Sequence, residues 1–209
     1  MKYKLGFTLI EVIVSMGIFF VLASISYMQN PNGLAKIRFN TYINELSVYI
    51  KELSIYGSSA GDISGGIRVG GVGVHIDKVP AAGSRSIFAF YDIATTLNNV
   101  TSSDRYYTAS TDKVIDTRIS YDDKISIVKI CPIGIYICDD YKSADITFIR
   151  PSTNAKLSIV KSDGSRYTVN GLEITVSFKG IDDKKCITIN SIGLVTIYDE
   201  QCIVPPSAA

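Results

Sequence analysis

GFTLIEVIVSMGIFFVLASISYM, Gly6–Met28, decides how the rest of the chain is read. Between Phe7 and Met28 the only acidic or basic side chain is Glu11. A helix of that length rises ~33 Å, enough to cross a hydrocarbon layer of about 30 Å. Ahead of it, Met1–Gly6 carries Lys2 and Lys4, the kind of basic flank that stays on the cytoplasmic side of a membrane. A secretory signal would explain the basic start and would exit at Val21-Leu22-Ala23, leaving a chain that begins at Ser24. The apolar run nevertheless continues through Ile25, Tyr27 and Met28. A plain membrane anchor would explain the length and leave Glu11 without a reason. A carboxylate in a membrane helix costs on the order of 3 kcal/mol, so a partner or a function is called for.

Gly6-Phe7-Thr8-Leu9-Ile10-Glu11-Val12 resembles the processing motif of type IV prepilins and pseudopilins. The resemblance implies that a membrane-embedded aspartic peptidase cuts between Gly6 and Phe7, that the new amine of Phe7 is methylated, and that the apolar helix is retained. Gly6 has no side chain to obstruct the peptidase, and Glu11 lies about one helical turn from Phe7. The resemblance further implies that Glu11 pairs with the Phe7 amine of a neighbouring subunit in a filament, which would offset the burial cost of both charges. Partners so implied are other pilin or pseudopilin subunits, the prepilin peptidase, the membrane and an assembly platform protein. The location implied is the cytoplasmic membrane, single-pass with an extracytoplasmic C-terminal domain, and then a pilus or pseudopilus. The first proline, in Asn30-Pro31-Asn32-Gly33, predicts a kink or local break where the helix would leave the bilayer.

The chain has 209 residues, 46% hydrophobic and 20% charged, which is globular and not disordered. Mean hydropathy is +0.22, with much of the excess in the opening segment. Leu34–Gly57 restores helical periodicity: Phe39, Ile43, Leu46, Ile50 and Leu53 share one face, while Glu45, Lys51 and Glu52 fall elsewhere. Gly57 followed by Ser58-Ser59 reads as the helix stop. From there the pattern is β, with a Gly/Ser-rich linker to Gly66. A bulge is expected at Gly70-Gly71 between Val69 and the alternating Val72, Val74 and Ile76. Further strands are expected at Ser86 to Ile93, Ile125 to Ile130, Ile146 to Arg150, Lys156 to Val160, Leu172 to Phe178, Cys186 to Ile189 and Leu194 to Tyr198. Asn98 to Asp112 reads as loop. In the Leu172 to Phe178 strand, Leu172, Ile174, Val176 and Phe178 face in, and Glu173, Thr175, Ser177 and Lys179 face out. Asn190-Ser191-Ile192-Gly193 reads as a hairpin turn.

These elements predict an α+β chain of type IV pilin-like plan, a long N-terminal helix packed on an antiparallel β-rich globular domain. The expected parts are a leader peptide 1–6, a transmembrane half-helix 7–28, an amphipathic half 29–57, an extracytoplasmic β-rich domain 58–204 and a disordered tail 205–209. The ending KKCITINSIGLVTIYD, Lys184–Asp199, is similar to the terminal hairpin of H-type minor pseudopilins of type II secretion and their FimT-like pilus relatives. That similarity implies a minor subunit.

Cys131, Cys138, Cys186 and Cys202 all follow the apolar segment, and an even count outside the cytoplasm suggests disulfides. Three pairings are possible; Cys131 with Cys138 and Cys186 with Cys202 is the one expected, because Pro132-Ile133-Gly134 can turn the chain back. The spacings lack the C-x2-4-C knuckle of a zinc site. Asp122-Asp123, Asp139-Asp140 and Asp182-Asp183 read as solvated loops; Asp139, Asp140 and Asp145 are the candidates for calcium, with no EF-hand loop present. The single histidine, His75, excludes multi-histidine metal sites, and its parity places it on the polar face of its strand as a surface residue. No nucleotide-binding, nucleophile-elbow or metalloprotease motif occurs. The sequence therefore predicts neither catalysis nor a cofactor. Lys+Arg 21 against Asp+Glu 20 gives a formal charge of +1, and loss of Lys2 and Lys4 would leave 19 against 20, or −1. Some FimT-like minor pilins bind DNA, and Lys156, Lys161 and Arg166 could cluster on one surface, but the charge balance makes nucleic acid an unexpected partner; a tip adhesin is the other alternative.

Overall fold

The computed structural model describes residues 7–28, 31–59, 69–79, 86–97, 100–102, 104–115, 124–135, 138, 140–149 and 154–199. Gly6 and the rest of the leader, Asn30 at the start of the expected break over Asn30-Pro31-Asn32-Gly33, the linker beyond Ser59, Asp122-Asp123, Asp139, Cys202 and the tail lie outside the described residues, whereas Pro31-Asn32-Gly33 is helical.

Two helices come first, α1 at Leu9–Met28 and α2 at Pro31–Ser59. Pro31 is the first residue of α2, where its missing N–H costs no helical bond. All five residues of the expected stripe are buried, Phe39, Leu46 and Ile50 completely, and Tyr42 and Tyr49 widen it. The helix continues past Gly57 to Ser59, so Gly57 is not the stop read from the sequence. A Cβ at Gly57 would come 2.9 Å from Phe148 Cβ and 3.1 Å from Phe148 O. Its role is close approach of helix to sheet.

Twelve strands follow among the described residues. A six-stranded antiparallel sheet is made by β1 (Val69–Asp77), β2 (Ile87–Ile93), β5 (Lys113–Ile115), β7 (Tyr141–Ile149), β8 (Ala155–Lys161) and β9 (Arg166–Val169), in the order β5-β2-β1-β7-β8-β9. A four-stranded sheet is made by β6 (Ile125–Pro132), β10 (Gly171–Phe178), β11 (Lys184–Asn190) and β12 (Val195–Asp199), in the order β12-β11-β10-β6. The short strands β3 (Thr95–Leu97) and β4 (Val100–Ser102) pair with each other, β4 falling inside the stretch read from sequence as loop. The register of β1 against β2 shifts between Val69 and Gly71, as the glycine pair predicts, so Val72, Val74 and Ile76 all reach the core. The β11–β12 turn closes with Gly193 at φ 78, a conformation that favours glycine.

α2 packs on β1, β7 and β12, and one continuous core joins its stripe to the inner faces of both sheets. Phe39 meets Phe178 at 5.7 Å between ring centroids, and the Tyr56 and Tyr91 hydroxyls lie 3.3 Å apart where the helix ends. The outer face of β10 departs from the alternation read in the sequence, because Glu173 and Thr175 are buried as well. In register, Glu173 lies opposite Cys131 and Thr175 opposite Cys186, so these two cysteines, each disulfide-bonded, sit on that same outer face. The Cys131–Cys138 bond holds the intervening turn there, and a backbone bond from Gly134 reaches Glu173. Burial pushes the Glu173 carboxyl up, with Lys129 and the Gly134 bond opposing.

Candidate functional site

The start of α1 is built by a reciprocal cap. Thr8 donates its backbone N–H to Glu11 Oε2 at 2.9 Å and its hydroxyl to the same oxygen at 2.8 Å. Glu11 N–H in turn donates to Thr8 Oγ1 at 3.3 Å. Thr-x-x-Glu in front of an apolar run is the sequence signature of a capping box, and it was available in Thr8-Leu9-Ile10-Glu11; the reading of the processing motif passed over Thr8. An acid in the first turn is also favoured by the helix dipole. The other polar side chains follow the same economy: Ser15 Oγ donates to Val12 O at 2.9 Å and Ser24 Oγ to Phe20 O at 2.7 Å. Thr8, Glu11, Ser15 and Ser24 thus find partners within the helix, as an apolar solvent requires.

Every described side chain of this segment, Phe7 to Ile25, is exposed in the single chain, Phe7 at 88%. Such a continuous apolar surface is far beyond the scattered exposed residues of an ordinary monomer and marks an interaction surface. The α1 backbone has 20 residues. Among the described residues no helix is long and apolar enough to cross a membrane; the side chains described in α1 end at Ile25, a rise of about 25 Å from Leu9. On α2, Leu34, Ile37, Val48 and Ile55 are exposed as well.

A second cluster lies on the outer face of the six-stranded sheet. The segment Asp104–Asp112 crosses that face, and Tyr107 packs against His75, Phe88 and Phe90 at 5.0, 4.9 and 5.4 Å between centroids. His75, expected at the surface, is largely covered, with 12% of its side chain exposed. Its Nδ1 lies 2.6 Å from Asp145 Oδ1, and Asp145, fully buried, also pairs with Arg166. Arg166 stacks on Tyr106 at 3.8 Å. Parity placed His75 on the correct face, but parity cannot show what crosses that face.

Arg105, the only non-glycine with positive φ among the described residues, anchors the segment. Its N–H donates to Asp92 Oδ2 at 3.1 Å, and its carbonyl accepts from Thr147 Oγ1 at 2.9 Å. Asp112 accepts from the N–H groups of Ile93 and Thr108, and Asp104 from the Thr108 hydroxyl. Asp92, Asp104 and Asp112 bring one oxygen each within 4.8 Å of one another. Burial pushes the Asp112 carboxyl up; the two N–H donors oppose it, and the charges of Asp104 and Asp145 add to it.

Of the three calcium candidates, Asp140 and Asp145 lie among the described residues. Asp145 is committed to His75 and Arg166, Asp140 is exposed and gives its carbonyl to Ser162, and Asp139 lies outside the described residues. Of the basic trio, Arg166 pairs with Asp145 and Lys161 lies over the rings of Tyr141 and Tyr167. Cys131 and Cys138 form the expected disulfide, with Cα atoms 5.3 Å apart. Cys186 is also disulfide-bonded, while Cys202 lies outside the described residues.

Residues 1–27 match the family model described as the prokaryotic N-terminal methylation motif. Neither the curated proteins nor the solved structures compared with the chain yield a match. The amino terminus therefore carries the mark of a type IV pilin-like precursor, joined to an α+β body with antiparallel sheets.

Proposed function

We propose that the chain is a structural subunit, not an enzyme, of a type IV pilus or of a type II secretion pseudopilus, entering as a minor component. The prepilin peptidase removes Met1–Gly6, the Phe7 amine is methylated, and Phe7–Met28 stays in the membrane until the subunit is drawn into a filament. The β-rich body is extracytoplasmic, in keeping with its disulfides. The observation that carries this reading is the methylation-motif match laid over a capped helix whose apolar side chains have no cover in the single chain. Lipid covers them first, and helices of other subunits cover them afterwards. Glu11 meets the amine of a neighbour, which selects and registers the incoming subunit.

Gly6→Val should leave the leader attached, and Glu11→Ala should be cleaved normally yet be depleted from sheared filaments. Cleavage of the first variant, or normal filament entry of the second, would overturn the reading.

A further inference from the structure

Two phenols meet where α2 ends. Tyr56, in the last turns of the helix, is 47% exposed, and its hydroxyl lies 3.3 Å from that of Tyr91 on β2. The ring centroids are 6.4 Å apart, with an angle of 49° between the ring planes. The backbone fixes this approach, because the next residue, Gly57, lets the helix sit against Phe148 where a Cβ would not fit. The Tyr91 phenol is pushed up to about 12, first by its bond to Tyr56 and then by burial. It is therefore neutral at ordinary pH and gives up an electron together with its proton. The Tyr56 oxygen is the acceptor in contact with it.

We propose that Tyr56 and Tyr91 form a cross-linking site: under a one-electron oxidant the two rings couple to a dityrosine that joins the end of α2 covalently to the six-stranded sheet. The co-reactant is a haem charged by hydrogen peroxide, which takes an electron and a proton from the exposed Tyr56. The Tyr56 radical recovers a hydrogen atom from Tyr91 across the hydroxyl contact, and a second oxidation of Tyr56 leaves one radical on each ring. In such a radical the unpaired electron is shared by the oxygen and the ortho and para carbons. The para carbon carries Cβ, so the bond forms between two ortho carbons. The hydrogen on each of these carbons then passes to its ring's oxygen, and both rings are aromatic phenols again. In sum the pair loses two electrons and two protons, and the peroxide leaves as two molecules of water. Tyr56, at the exposed end of its helix, has the rotamer freedom to bring its ring onto Tyr91. The inference goes beyond the proposed function and does not depend on entry into a filament.

The test treats the full chain in detergent with hydrogen peroxide and a haem peroxidase, then digests the single-chain fraction with trypsin. Cleavage after Lys51, Arg68, Arg85 and Arg105 places Tyr56 and Tyr91 in separate peptides that hold no other tyrosine. Their link is therefore assigned by mass alone. The expected result is the two peptides joined at two hydrogens below their summed mass, with dityrosine fluorescence. Both signals should be lost in Tyr56→Phe and in Tyr91→Phe. The peptide map of the parent decides by itself, so a variant that folds poorly does not blunt the test. Peptides that stay separate in the parent, or Tyr91 joined to Tyr49 instead of Tyr56, overturn the site. So does a product in which the tyrosines are linked only between chains.

Discussion

At the residue scale, Asp145 is the side chain on which the outer face of the six-stranded sheet depends. It is fully buried and carries His75 on one oxygen and Arg166 on the other. Removing one partner of a buried pair costs more than the pair is worth, because the remaining charge is left without compensation. Asp145→Asn should therefore destabilise the chain by about 3 kcal/mol, the lower end of the range for such deletions, since Arg166 keeps 29% of its side chain in solvent. Denaturant unfolding of the detergent-solubilised protein measures it, and a midpoint equal to the parent's would contradict the role given to Asp145. The sequence disclosed little of this. Asp145 read as a weak calcium candidate and His75 as a surface residue, because alternation assigns a face and says nothing of the segment that crosses it. Thr8 and Glu11 are the opposite case: their spacing alone states a capping box.

At the element scale, legibility followed the regularity of the burial. The α2 stripe and the strict alternation of β10's inner side were readable because one periodic face meets one core. β5 and β9 were not, since Lys113–Ile115 and Arg166–Val169 are short edge strands with mostly exposed side chains and no apolar run. Glu173 was misread because the turn tethered by the Cys131–Cys138 bond comes over it on the outer side of β10. The crossing segment Asp104–Asp112 makes a pH prediction. The Asp112 carboxyl is raised in the folded state, chiefly by burial. A raised group contributes stability that is fully present below its unfolded value and is lost as pH rises through its folded value. The segment should therefore loosen from the ordinary carboxylate range upward. Hydrogen exchange at the Ile93 and Thr108 amides, corrected for intrinsic rates, should show less protection at neutral pH than near pH ~4. Protection that is constant or increases with pH would contradict the assignment.

At the scale of the whole molecule, one chain is built for two surroundings. From Phe39 to Leu53 the helical segment is covered by its own sheets; from Phe7 to Ile25 its apolar side chains are bare. Burial of apolar surface releases roughly 25 cal/mol per Å², so in the function proposed above lipid and then other helices supply the cover that the bare half lacks. The division of labour was legible from the opening stretch, where hydrophobicity, a basic leader, a glycine and a single acid coincide. The topology of the β-rich body was not, because pairing order among many short antiparallel strands leaves no local trace. The most direct measurement is the amino-terminal mass and sequence of the protein isolated from its native cell. The account predicts a chain that begins at N-methylated Phe7 and retains the entire apolar segment. A chain that begins at Ser24, or still at Met1, would contradict it.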